Sequence, residues 1–151
     1  MSRPMERRRF FGALGALGAG TIVSASASAQ EAVACRAGDR ETPHPITNAA
    51  AGADRMHLPI VSLPARPRLG RAFDLVVRVG EPLHEQRIDH HIAWIEARYG
   101  SDRLFVCDLS PDVPFPVVRV PVVLRRVDEL AVRLFCTRHG AFEWRLALTP
   151  T

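Results

Sequence analysis

The sequence contains no lysine; all twenty of its basic residues are arginine. Any positive charge near a functional group is therefore a guanidinium, which attracts anions well and gives up protons poorly. Long apolar runs are missing too. The N-terminal one, Phe10 to Val23, falls short of the roughly 20 residues that span a bilayer. No segment holds a helical apolar period, which argues against a helical fold. No basic stripe with interleaved aromatics occurs, so the usual footprint of nucleic-acid binding is absent. Cysteine is scarce: Cys35, Cys107 and Cys136 are an odd set, too few for a disulfide framework, with a Cys35–Cys107 bridge left open. Beyond residue 29 there is a single methionine, Met56.

The first 29 residues are set apart from the fold. Arg3, Arg7, Arg8 and Arg9 open the chain, the short Gly-rich apolar run follows, and Ala27-Ser28-Ala29 supplies a small-x-small cleavage site. This is the layout of a cleaved export signal. Arg7-Arg8 before Phe10-Phe11 resembles the twin-arginine type. A periplasmic or otherwise exported protein is expected. The segment holds four Arg and one Glu, +3 of the chain's +4, which leaves the remainder near neutral at +1.

Residues 30–56 are rich in Ala, Gly, Pro and polar side chains and are expected to form an irregular arm. From residue 57 to 151 the pattern is one of short β-runs punctuated by Pro and Gly. Leu58–Leu63, Phe73–Val79, His91–Tyr99, Arg103–Leu109, Val117–Arg125, Leu130–Cys136 and Phe142–Leu148 make about seven strands. Their spacing predicts one all-β sandwich domain, with Ser110 to Pro116 as a proline-laden connection.

Five of the six histidines lie beyond residue 56. Cys136 and His139 stand three apart where a strand runs into Gly140, so both side chains can converge on one ion. His84 and His90 bracket the charged loop Glu85 to Asp89. His57 heads another β-run. His90 and His91 are adjacent in an extended segment, so only one of them can face a given site. His44, between two prolines, reads as a surface residue. Each piece alone is common in proteins without a metal.

Together, Met56-His57-Leu58-Pro59-Ile60-Val61, His84-x5-His90-His91-Ile92-Ala93-Trp94-Ile95, and Cys136-x2-His139-Gly140 with Glu143 downstream resemble the superoxide reductases, that is, neelaredoxins and the iron-binding domain of desulfoferrodoxin. The resemblance runs from about residue 55 to the C-terminus. It implies an immunoglobulin-like sandwich whose loops hold one mononuclear non-haem iron. His57, His84, His90 and His139 would be equatorial, Cys136 axial, and the opposite position open to superoxide. Imidazole suits Fe(II), and a thiolate pushes electron density toward the vacant position. Superoxide would be reduced to hydrogen peroxide, with electrons from an external donor. Homo-oligomerisation is left open, and neither nucleic acid nor a membrane span is expected of the mature chain.

Two departures from the family pattern stand out. The lysine that usually precedes the first ligand histidine is Met56 here, with Arg55 before it; Arg55, Arg87 or Arg138 would have to supply anion-steering charge. Glu85 replaces the proline that commonly follows the His84-type ligand, which predicts a looser loop. A cupredoxin would need a methionine after His139 and has none, and five candidate ligands with one thiolate suit structural zinc poorly. The alternative is an exported iron-binding carrier or interaction module without efficient turnover.

Overall fold

The computed structural model describes residues 37–39 and 41–151. The expected export signal and the first part of the arm, Cys35 included, lie outside the described residues. Among the described residues, eight strands form two facing sheets. They are β1 (His44–Pro45), β2 (Pro59–Ser62), β3 (Ala72–Val79), β4 (Ile92–Tyr99), β5 (Asp102–Asp108), β6 (Val117–Val123), β7 (Glu129–Cys136) and β8 (Gly140–Ala147). One sheet runs β1-β8-β7-β4-β5 and the other β2-β3-β6. All pairings are antiparallel except the two-residue parallel contact of β1 with β8. This is the Greek-key arrangement of an immunoglobulin-like sandwich.

Alternation explains the strands of the smaller sheet. In β3, Leu75, Val77 and Val79 turn inward while Asp74 and Arg78 turn out; in β6, Val118 and Val122 are buried and Arg119 is exposed. The central strands β4 and β7 are buried on both faces. Ile95, Val132 and Leu134 fill the space between the sheets, and Trp94, Phe135 and Ala141 form a second apolar cluster. The alternation read from His91 to Tyr99 is interrupted: a bulge between Ile92 and Trp94 makes Ala93 an extra residue against β7. The bulge lets Ile92 and Ile95 both reach the core, three residues apart.

The stretch expected to be irregular carries some order in its described part. His44–Pro45 adds to the edge of β8 beside Phe142 and Glu143, and Gly52–His57 winds as a short 3₁₀ helix. Both depend on distant partners rather than on local propensity, which is weak over so few residues. No helix among the described residues is long and apolar enough to cross a membrane.

Candidate metal centre

Three loops meet at one end of the sandwich. His57 is the last residue of the 3₁₀ helix, where the Ala53 carbonyl accepts a hydrogen bond from its Nδ1–H (3.0 Å). That fixes the tautomer and leaves the Nε2 lone pair facing inward. The ring also lies flat on Phe142, with centroids 4.5 Å apart and planes 6° off parallel.

His84 follows β3 in the turn Gly80–His84. Its backbone N–H donates to Val79 O (2.9 Å), Gly80 N–H to Leu58 O (2.9 Å) and Glu81 N–H to Arg55 O (3.1 Å). This lacing ties the His84 turn to the His57 helix. His84 itself is only 1% exposed.

His90 closes a turn in which Arg87 and His90 exchange both backbone hydrogen bonds (2.9 and 3.0 Å). Gln86 pins the turn to β4, accepting from Ile92 N–H (2.8 Å) and donating to Ile92 O (3.3 Å). His91 N–H donates to the Thr137 hydroxyl (3.1 Å), and Thr137 N–H to His91 O (2.9 Å). The His90 turn is thereby clasped to the β7–β8 turn that carries Cys136 and His139. As alternation requires, His90 faces the cluster and His91 does not; His91 Nδ1 lies against Arg87 O (3.2 Å).

The donor atoms converge. Those of His57, His84, His90 and Cys136 lie within 4.8 Å of one another. His84 Nε2 is 3.1 Å from His90 Nε2, and His139 Nδ1 is 3.0 Å from His57 Nε2. Neighbouring ring centroids are 4.6 to 5.0 Å apart, whereas His57 to His90, across the ring, is 6.3 Å. The four imidazoles thus stand in the cyclic order His57, His84, His90, His139. Cys136 Sγ is 3.8 Å from His84 Nε2 and 3.5 Å from His139 Nδ1, two groups facing each other across that ring.

On the ring lies a small cavity of about 120 Å³, walled by all four imidazoles and by Ala53, Met56 and Glu85. Cys136 takes no part in this wall and is fully buried. The sulfur therefore caps one face of the ring, and the other face opens toward solvent through the cavity.

The electrostatics suit neutral nitrogen donors. Burial lowers the pKa of His57 to about 4, with the Ala53 carbonyl opposing and the neighbouring histidines adding to the effect. Burial likewise lowers His84 and His90, reinforced at His84 by His90 and at His90 by His139 and Arg138. Burial pushes the Cys136 thiol up, although the backbone N–H groups of Arg138 and His139 favour the thiolate. Burial makes a Cys136 thiolate costly, and a divalent cation in the ring would supply a counter-charge directly beside it. Donors about 2.1 Å from a first-row ion would sit about 3 Å from their neighbours, as the His84–His90 and His57–His139 nitrogens do. The donor set fits a mononuclear metal of imidazole and thiolate preference.

The three arginines differ. Arg55 Nη2 is ion-paired with Glu81, and Arg87 lies 3.7 Å from Asp89. Arg138 has no acidic partner among the described residues, and its charge bears on both His90 and Cys136. Sequence reasoning did not find Phe142, Gln86 or Thr137. Thr137, between Cys136 and His139, was the most findable, because a hydroxyl inside a ligand turn is placed to bond neighbouring backbone.

Fold and centre together define a β-sandwich protein that gathers imidazoles and one thiol at one end of its sheets. The desulfoferrodoxin family model matches residues 48–145, roughly two thirds of the chain, and the protein belongs to that family. It is 38% identical over 64 residues to a desulfoferrodoxin homolog of Methanothermobacter thermautotrophicus, a match covering 42% of this chain and 48% of that one. The matched region thus spans about half of that relative. Among solved structures, the fold is similar to a superoxide reductase (neelaredoxin) from Ignicoccus hospitalis, with a TM-score of 0.57 and 24% identity over 63% of this chain and 81% of the other. It is also similar to a superoxide reductase from Nanoarchaeum equitans, with a TM-score of 0.58 and 17% identity over 71% of this chain and all of that one.

Proposed function

We propose that the protein is a superoxide reductase holding one iron between His57, His84, His90, His139 and Cys136. The observation that carries this reading is the two-faced ring: four imidazoles around a centre, a buried sulfur on one side and a small open cavity on the other. The bound iron would supply one electron, which with two protons converts superoxide into hydrogen peroxide.

The chain's own residues set the conditions. Ala53 O and the face of Phe142 hold the His57 ring in place, and the Gln86 and Thr137 clasps hold the His90 and Cys136 turns. The cavity, at about 120 Å³, has room for a diatomic anion. Arg138, without an acidic partner among the described residues and with its charge bearing on His90 and Cys136, is the arginine best placed to draw that anion inward. Electrons would come from an external donor.

The test is the visible spectrum of the iron-loaded, chemically oxidised protein beside Cys136→Ser. A thiolate-to-iron charge-transfer band in the parent and not in the variant supports the reading. Absence of the band with iron present removes Cys136 as a ligand and the proposal with it. One observation favours a carrier without efficient turnover: among the described residues Glu85 is the one acidic residue in the cavity wall, and a carboxylate there repels superoxide. A carrier would consume superoxide once per iron, whereas a reductase supplied with reductant continues.

A further inference from the structure

The cavity over the ring has an unusual wall for a place where peroxide is made. Besides the four imidazoles its wall includes Ala53, Glu85 and Met56. Met56 is the sole methionine among the described residues. Its backbone sits in the short helix that ends at His57, and its carbonyl oxygen packs against Gly80. The residue is thereby fixed between two of the ring-bearing segments. It is partly exposed, and it borders the same small space as the imidazoles. A thioether is the side chain most readily oxidised by peroxide after a thiolate, and Cys136 is shielded from this cavity on the other face of the ring.

We propose that Met56 is a modification site, converted to its sulfoxide by hydrogen peroxide formed in the cavity before that peroxide escapes; the inference rests on the superoxide reductase reading. The step balances with peroxide as the sole oxidant. The thioether sulfur gives two electrons to the O–O bond, which breaks; one oxygen joins sulfur and the other leaves, with both protons, as water.

Confinement favours the step. One molecule in about 120 Å³ corresponds to an effective concentration on the order of 10 M while it remains there. Peroxide released into solution reaches nothing comparable. The sulfoxide adds a polar oxygen to a residue of the cavity wall, and the modified fraction of the molecules rises with the turnovers they have performed. It is also a reversible change.

The experiment uses the iron-loaded protein under a steady enzymatic supply of superoxide and reductant, with and without catalase in the medium. Without catalase, one peroxide per superoxide consumed identifies reduction, whereas one per two is spontaneous disproportionation. With catalase, released peroxide is destroyed, and peptide mapping reads a gain of one oxygen on the fragment holding Met56. The expected result is Met56 sulfoxide that persists with catalase. It should exceed by at least about tenfold that formed when an equal total of peroxide is added from outside under the same conditions. In Met56→Leu the mass gain on that fragment should vanish. One-to-one peroxide with Met56 unmodified, or modified only without catalase, overturns the inference and leaves the reductase reading standing. Failure to produce peroxide one-to-one overturns the reductase reading and the inference with it.

Discussion

His57 shows how much positioning one side chain receives. The Ala53 carbonyl holds one ring nitrogen, Phe142 covers one ring face, and burial keeps the ring neutral. Charge at the entrance is a separate matter. Arg55 and Glu81 form an ion pair whose two fields largely cancel at the distance of an approaching anion, while Arg138 keeps its charge uncompensated among the described residues. Arg138→Ala should therefore slow the bimolecular reaction with superoxide about two- to fivefold and flatten its dependence on ionic strength. Arg55→Ala should change both by less. Pulse-generated superoxide kinetics at several salt concentrations would check this, and equal effects would show that the pairing with Glu81 does not matter.

At the scale of elements, the Gly80 turn joins the centre to the smaller sheet. Gly80 has φ of +90°, and an added Cβ would lie 2.6 to 2.7 Å from Pro82 O, His84 N and Met56 O, all backbone atoms that cannot swing away. Gly70 has φ of +70° with nothing within 4 Å of the corresponding position. Gly70→Ala should cost only the backbone term of about 1 kcal/mol. Gly80→Ala should cost at least about twice as much and weaken metal retention. Thermal melts and chelator competition on both variants would read the difference. The strands were legible because alternation and Pro/Gly punctuation are local signals; β3 and β6 follow their sequence pattern closely. The two-residue β1 was not, because its reason for existing is a partner a hundred residues away. Nor was the bulge at Ala93, since an apolar run gives no sign of where the ladder skips. The histidines and Cys136 were legible by resemblance, but the stacking of Phe142 on His57 joins positions 85 apart in sequence and needed the folded chain.

For the whole molecule, the metal-free state carries a built-in sensitivity to acid. A buried histidine whose pKa is lowered by folding is neutral when folded and takes up a proton once unfolded. Stability is then lost as pH falls from about 6.5, the unfolded value, toward the folded one near 4 for His57. His84 and His90 shift in the same direction. For His57 alone the loss amounts to at most about 3 kcal/mol. Melting temperatures of the metal-free protein measured between pH 7 and pH 4 should fall steadily. A flat profile would mean that these imidazoles titrate normally. A bound metal should delay the loss, because protons must then compete with it for the same nitrogens.

The two ends of the sandwich are fastened differently. At the end of β4 away from the ring, the Tyr99 hydroxyl accepts a hydrogen bond from Asp128 N–H (2.8 Å), joining β4 to the segment that crosses from the smaller sheet to the larger. At the ring end, His57 and His84 come from segments flanking the smaller sheet, while Cys136 ends a strand of the larger and His90 and His139 stand in the turns beside its strands. An ion in the ring would act as a rivet through both sheets, about 25 Å from the tyrosine latch. Drawing the rivet should let the sandwich gape at one end only, like a clam hinged at Tyr99. Amide exchange on chelation would then quicken around residues 57, 84, 90 and 136 and stay slow around residues 99 and 128; uniform quickening would mean that the two fastenings are not independent.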